Sequence, residues 1–133
     1  MVLDSSALMV LLYDEPETAA FVAMIAVAPR RLLSAASYLE TAIVVTSRSG
    51  PAAVEKLDRL LDELSIEVIS FNREQAALAI TAYQQYGRGG GHAAGLNFGD
   101  CFTYALAKLV GEPLLFKGSD FVHTDLTAAI NIL

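Results

Sequence analysis

Hydrophobic and polar positions fall into blocks along the chain, and their period switches repeatedly between that of a strand and that of a helix. Val2 and Leu3 form a short apolar run that stops at Asp4, and Ser5-Ser6 offers a cap for a helix through Leu12. Asp14-Glu15-Pro16-Glu17 is a second helix start, with proline in the first turn and acids facing the dipole. It predicts a helix to about Val27, ended by Pro29. Residues 31–34 read as a strand, residues 35–49 as a helix closed by Gly50, and Pro51 as the opening of a helix to about Leu64. Residues 66–70 alternate as a strand does. Asn72 caps a helix ending near Tyr86, and Asn97 caps another over residues 98–110 that Gly111 stops. Residues 113–116 are a compact apolar run, followed by a Lys117-Gly118-Ser119-Asp120 turn. Residues 87–95, with five glycines, read as a loop.

Strands separated by helical segments require crossover connections, and these give a parallel sheet covered on both faces. The expected class is α/β: three layers, a small central parallel sheet flanked by helices, in a single domain over residues 1–133. Neither a repeat nor a linker interrupts it.

Composition narrows the partners. At 133 residues and 54% hydrophobic, the chain buries a sizeable core without disulfides, and its one cysteine, Cys101, has no intramolecular mate. Acids at positions 4, 14, 15 and 17 and the lack of a basic-then-apolar leader predict a cytoplasmic location without a membrane segment. The net charge of −6 lowers the case for passive nucleic-acid binding more than the case for metal-dependent catalysis on it.

Active sites of open parallel sheets lie at the carboxyl ends of the strands. Asp4 ends the first strand, Asp120 follows the last, and Asp100 sits in the first turn after Asn97. Glu40 has Ala36, Ile43 and Val44 one turn away, at the edge of an apolar helix face where an unpaired carboxylate is costly. Each also has a structural reading: Asp4 as a helix cap, Asp100 as a dipole partner, Asp120 in an Asx turn, Glu40 reaching past its neighbours to water. Convergence decides between the two. Two carboxylates ~5 Å apart repel by roughly 3 kcal/mol at an effective dielectric of ~20. Four together need a cation or raised pKa values, and oxygen-only ligands suit Mg²⁺ or Mn²⁺, which activate water against a phosphodiester. Ser6 is placed to hydrogen-bond a carboxylate, a water or a phosphate, or simply to cap the helix.

Four stretches in this order resemble the PIN-domain ribonucleases and, within them, the VapC toxins of bacterial toxin–antitoxin pairs. They are residues 1–8 (MVLDSSAL), 34–42 (SAASYLETA), 96–108 (LNFGDCFTYALAK) and 113–125 (PLLFKGSDFVHTD). The resemblance implies a homodimer, a heterotetramer or larger assembly with a VapB-type antitoxin, and Mg²⁺-dependent (or Mn²⁺-dependent) cleavage of RNA such as tRNA or rRNA. It matches Asp4, Glu40, Asp100 and Asp120 to the family's metal-binding acids and Ser6 to its small hydroxyl, with Asp125 a lower-ranked acid. The chain departs from the family at Asp4-Ser5-Ser6, where Asp-Thr-Ser is common. It departs also at Gly91-His92-Ala93, where relatives carry basic residues beside the histidine. Arg88, His92 and Lys117 remain as candidate RNA contacts, each with a structural alternative. Cys101 and His123 read as structural, and Tyr83, Tyr86, Phe98, Phe102 and Tyr104 as core or dimer face.

Two other functions fit less well. A weakened PIN protein that mainly binds antitoxin follows if the glycine loop has cost activity. A receiver-like signalling domain needs an acidic pair after the first strand and an Asp after the third, where this chain has Asp4 alone and Phe71-Asn72. A haloacid-dehalogenase-like phosphatase needs a second Asp two residues beyond Asp4, where Ser6 stands.

Overall fold

The computed structural model describes residues 1–129. Its elements are β1 (Val2–Leu3), α1 (Ser5–Leu12), α2 (Thr18–Val27), β2 (Leu32–Ser34), α3 (Ala35–Ser49), α4 (Ala53–Glu63), β3 (Glu67–Ile69), α5 (Arg73–Tyr86), α6 (Phe98–Val110) and β4 (Leu114–Leu115). The four strands are parallel, in the order β3-β2-β1-β4. Strand order reverses between β1 and β4, and a crevice opens there because the crossovers on either side leave in opposite directions.

Adjacent residues of a strand point to opposite faces, and β1, β2 and β4 use this to build two cores. Leu3, Leu33 and Leu115 join Leu8, Phe21, Ile25, Leu57 and Leu61 on the side of α1, α2 and α4. Val2, Leu32 and Leu114 join Ala82, Leu96, Tyr104 and Leu106 on the side of α5 and α6. Two-residue strands suffice because every side chain is buried, and the sheet is the middle layer of three. Edge strand β3 departs from the expected alternation: Glu67 and Val68 are exposed and Ile69 is half-buried.

Helices α3 and α6 have the bounds that the pattern predicts, and α5 starts at its expected cap. Two starts differ. Asp4 rather than Ser5-Ser6 caps α1, its side chain accepting from the Ser6 N–H. Helix α2 begins at Thr18 because Asp14, at φ 48°, reverses the chain and leaves residues 14–17 as a turn. Beyond β4, residues 127–129 run beside it, with Leu114 N donating to Thr127 O and Ala129 N to Leu114 O, a pairing that the sequence pattern does not announce. No helix among the described residues is long and apolar enough to cross a membrane.

Candidate active site

The acids gather at the carboxyl ends of β1 and β4 and the first turn of α6. Asp4 stands where β1 ends: its backbone N–H still belongs to the sheet, donating to Leu115 O at 3.0 Å, while its side chain begins α1. The carboxylate is 4% exposed and held from three directions. Oδ2 accepts from the Ser6 N–H (3.0 Å) and the Ser6 hydroxyl (2.6 Å), and Oδ1 from the Thr103 hydroxyl (2.7 Å). Ser6 Oγ in turn accepts from the Lys117 N–H at 3.0 Å, which ties the ends of β1 and β4 together across the crevice.

Asp100 is the third residue of α6 and closes a reciprocal cap with Asn97. Asn97 Oδ1 accepts from the Asp100 N–H at 2.8 Å, and Asp100 Oδ2 accepts from the Asn97 N–H at 3.0 Å. That leaves Oδ1 free of hydrogen bonds among the described residues. Burial pushes the Asp100 carboxyl up, the Asn97 N–H holds it back, and the charges of Asp4, Asp120 and Glu40 raise it further, to about 7. Asp100 thus senses all three other acids. The apolar face expected around Glu40 does not bury it, since Leu39, Ile43 and Val44 are exposed. The Glu40 carboxylate instead accepts from Ser5 Oγ at 2.6 Å and lies against the backbone of Gly99, where an added methyl group would come within 2.8 Å of its Cδ. Asp120 is half-buried beyond the Gly118 turn, whose φ of 109° lets the chain fold back after β4.

The four acids surround a space without enclosing a point: among the described residues, no three His, Cys, Asp or Glu side chains are grouped tightly enough to cage an ion. An all-carboxylate donor set, an uncommitted Asp100 oxygen and a mutual repulsion visible in the Asp100 carboxyl fit a hard divalent cation that keeps several of its waters. Direct binding would fall to Asp4 and Asp100, with Glu40 and Asp120 completing the charge.

The remaining candidates lie apart from this group. Asp125 accepts from Tyr104 (2.6 Å) and Lys108 (2.6 Å); burial pushes its carboxyl up, and these two hydrogen bonds outweigh that and leave it below the usual range. It does not figure among the acids that act on Asp100. The Lys117 ammonium is paired with Glu15 at 3.1 Å and Glu17 at 3.2 Å rather than left open to a phosphate. His92 spends Nδ1 on the Ala94 N–H at 3.0 Å and packs edge-on against Tyr86, so it shapes the glycine loop. Arg88 is exposed and has no ion pair among the described residues, at the rim of an apolar groove of about 630 Å³ between α5 and α6. Cys101 is buried and donates to Asn97 O at 3.2 Å; burial first, then Asp100, pushes its thiol up, as befits an inert core group.

Sequence reasoning missed Thr103, Ser37, Ser5 and Gly99. Thr103 lies three residues after Asp100, and Ser37 three before Glu40. The i, i+3 relation that puts each on its acid's helix face was the available signal.

Known proteins bear on this arrangement. The chain matches the PIN domain family model over residues 1–126. It is 48% identical over 126 residues to Ribonuclease VapC30 of Mycobacterium tuberculosis, covering 95% of each chain. It is 49% identical over 128 residues to Ribonuclease VapC of Mycolicibacterium smegmatis, covering 96% of this chain and 98% of that one. Two solved structures share the fold at lower identity. One is VapC20 of M. tuberculosis, a toxin that cleaves the sarcin–ricin loop, with a TM-score of 0.74 and 15% identity over 95% of both chains. The other belongs to a toxin–antitoxin complex from Klebsiella pneumoniae, with a TM-score of 0.72 and 17% identity over 98% of both. A parallel sheet in this order, acids at its switch point and near-full-length identity to VapC ribonucleases together place the chain in the PIN-domain family, among the ribonuclease toxins of toxin–antitoxin systems.

Proposed function

We propose that this toxin is a cytoplasmic endoribonuclease whose site is Asp4, Glu40, Asp100 and Asp120, with Ser6 holding Asp4, all within one domain spanning residues 1–133. The observation that carries this reading is the gathering of the four acids at the ends of β1 and β4 and the start of α6, with Asp4 held by Ser6 and Thr103, Asp100 by the Asn97 cap and Glu40 by Ser5. In keeping with it, burial and the three other acids push the Asp100 carboxyl up, to about 7. A bound Mg²⁺ or Mn²⁺ would supply an activated water and offset the charge that builds on the phosphodiester. The chain's own part is positional. Ser6 and Thr103 direct the Asp4 carboxylate, the Asn97 cap directs Asp100, and Ser5 directs Glu40. Arg88, exposed and free of an ion pair among the described residues, is the strongest of the three candidate RNA contacts. A structured RNA loop in rRNA or tRNA is the substrate class, in keeping with the sarcin–ricin loop cut by VapC20.

The partner is a VapB-type antitoxin, in keeping with the Klebsiella complex. Helix α2 supports it: only Phe21 and Ile25 are buried, while Val22, Val27 and four alanines face outward. Exposed apolar surface of this kind marks a protein-binding face. A homodimer, and a heterotetramer or larger with antitoxin, completes the reading, supported by the exposed Ile80, Tyr83 and Phe98 on α5 and α6.

The test is cleavage of total cellular RNA by the antitoxin-free protein with Mg²⁺, with Mn²⁺ and with chelator, alongside Asp4→Asn. Discrete products that need the metal and vanish in the variant are expected. The loss should exceed the roughly 10–100-fold typical of removing only an outer hydrogen bond to a ligand. Cleavage that survives chelator or the substitution overturns the site.

A further inference from the structure

Thr103 is completely buried, and its hydroxyl donates to Asp4 Oδ1 at 2.7 Å. Behind it, Ser37, 2% exposed, lies 3.2 Å from Thr103 Oγ1. A hydroxyl has one hydrogen, and an ionised carboxylate only accepts. Thr103 therefore gives its hydrogen to Asp4, and Ser37 gives its own to Thr103. The result is a one-way chain, Ser37 to Thr103 to Asp4, running from α3 through α6 to the end of β1. Hydrogen bonds aligned this way polarise one another, and the effect is strong where water is excluded.

The same count fixes what Asp4 has left. Each carboxylate oxygen offers about two lone-pair directions. Oδ2 has received two donors, both from Ser6, and Oδ1 only one, from Thr103. The open direction of this carboxylate belongs to Oδ1, and Thr103 sets where it points. Three secondary-structure elements meet at this bond, so it also registers α6, and with it Asp100, against β1.

We infer that Thr103 is a positioning residue for the metal site, backed by Ser37: it holds Asp4 with one Oδ1 lone pair directed toward the other acids. This rests on the reading of Asp4 as a metal ligand. Groups that orient a ligand in this way typically govern 10–100-fold in metal affinity or activity. Nothing in the sequence stretch around Asp4 reveals this role, because the donor lies 99 residues away.

The experiment is calorimetric titration of Mn²⁺ into the full-length, antitoxin-free protein and its Thr103→Val, Thr103→Ser and Ser37→Ala variants, with thermal melts alongside. Thr103→Val keeps the shape and removes the donor, and is expected to weaken Mn²⁺ binding about tenfold. Thr103→Ser keeps the hydroxyl and should bind within about twofold of the parent, and Ser37→Ala should show a smaller loss than Thr103→Val. A folded Thr103→Val that binds Mn²⁺ as the parent does overturns the inference. So does a Thr103→Ser that loses as much as Thr103→Val, since the methyl group would then be what matters. Should Thr103→Val fail to fold, Thr103→Ala against Thr103→Ser decides by the same criterion. A parent protein that binds no Mn²⁺ sinks the four-acid site itself, an outcome distinct from equal binding by parent and variant.

Discussion

Asp100 joins two roles that oppose each other in the metal-free protein. As the third residue of α6 it completes a cap, which favours a charged side chain near the helix N-terminus. As the buried member of four acids it resists that charge, and its carboxyl rises from 3.8 to about 7. Folded protein therefore holds the Asp100 proton more tightly than unfolded chain, and the linkage has a definite sign. The stabilisation from this proton is fully present below about 4 and is lost as pH rises through about 7. Measured as melting temperature without metal, wild type should lose stability relative to Asp100→Asn between pH 5 and pH 8. Asn retains an oxygen for the Asn97 N–H, so the cap survives the change. A difference between the two proteins that does not vary with pH would remove the repulsion from the account. Metal binding must displace the same proton, so affinity should fall as pH drops below about 7.

At the level of elements, the first turn of α6 is shaped by what approaches it from α3. Gly99 is a poor helix residue on propensity alone, costing about 1 kcal/mol against alanine. Its lack of a side chain makes room for the Glu40 carboxylate. Gly99→Ala should therefore displace the Glu40 carboxylate. Because that is the far end of a flexible side chain, stability should stay within about 1 kcal/mol of the parent after the propensity gain. It should reduce activity by moving Glu40, seen as slower RNA cleavage at a melting temperature close to that of the parent. A stabilised, fully active Gly99→Ala would mean that Glu40 has no fixed place. This contact also shows where sequence reading stops. Helices α3, α5 and α6 were legible because Asn72, Asn97, Gly50 and Gly111 are local punctuation. Asp4 and Asp120 were legible because strand ends in a parallel sheet have a known use. Glu40 was found by its type, but its setting was misjudged: periodicity marks Ile43 and Val44 as apolar without saying whether they face a core or the outside. Gly99 gave no signal because its partner Glu40 is distant in the chain, and Thr103 showed only its i, i+3 relation to Asp100 and not its bond to Asp4, 99 positions away. Lys117 looked available because Glu15 and Glu17 lie 102 or so positions before it.

On the scale of the whole molecule, net charge and exposed apolar surface each bear on the partners. The net charge of −6 suits a basic partner entering the acid cluster, so antitoxin association should slow as salt rises. The exposed Ile80 (60%) and Phe98 (79%) flank the groove between α5 and α6. Ile80→Asp, at a position too exposed to disturb folding, should halve the mass measured by light scattering if that groove faces a second copy. An unchanged mass would move the dimer contact elsewhere. The strand order has one more consequence, which concerns synthesis. The crevice lies between the first strand and the last: Val2 donates to Pro113 O, Asp4 to Leu115 O, and the Ser6–Lys117 bond spans 111 positions. A chain still on the ribosome has made Asp4 and Glu40 long before it has β4 to close against them. A product that ends before β4 thus lacks Asp120 and the strand that closes the proposed site, and is expected not to cleave RNA. On the proposed reading, ribonuclease activity therefore waits for translation to pass β4 and Asp120, and the toxin begins inert.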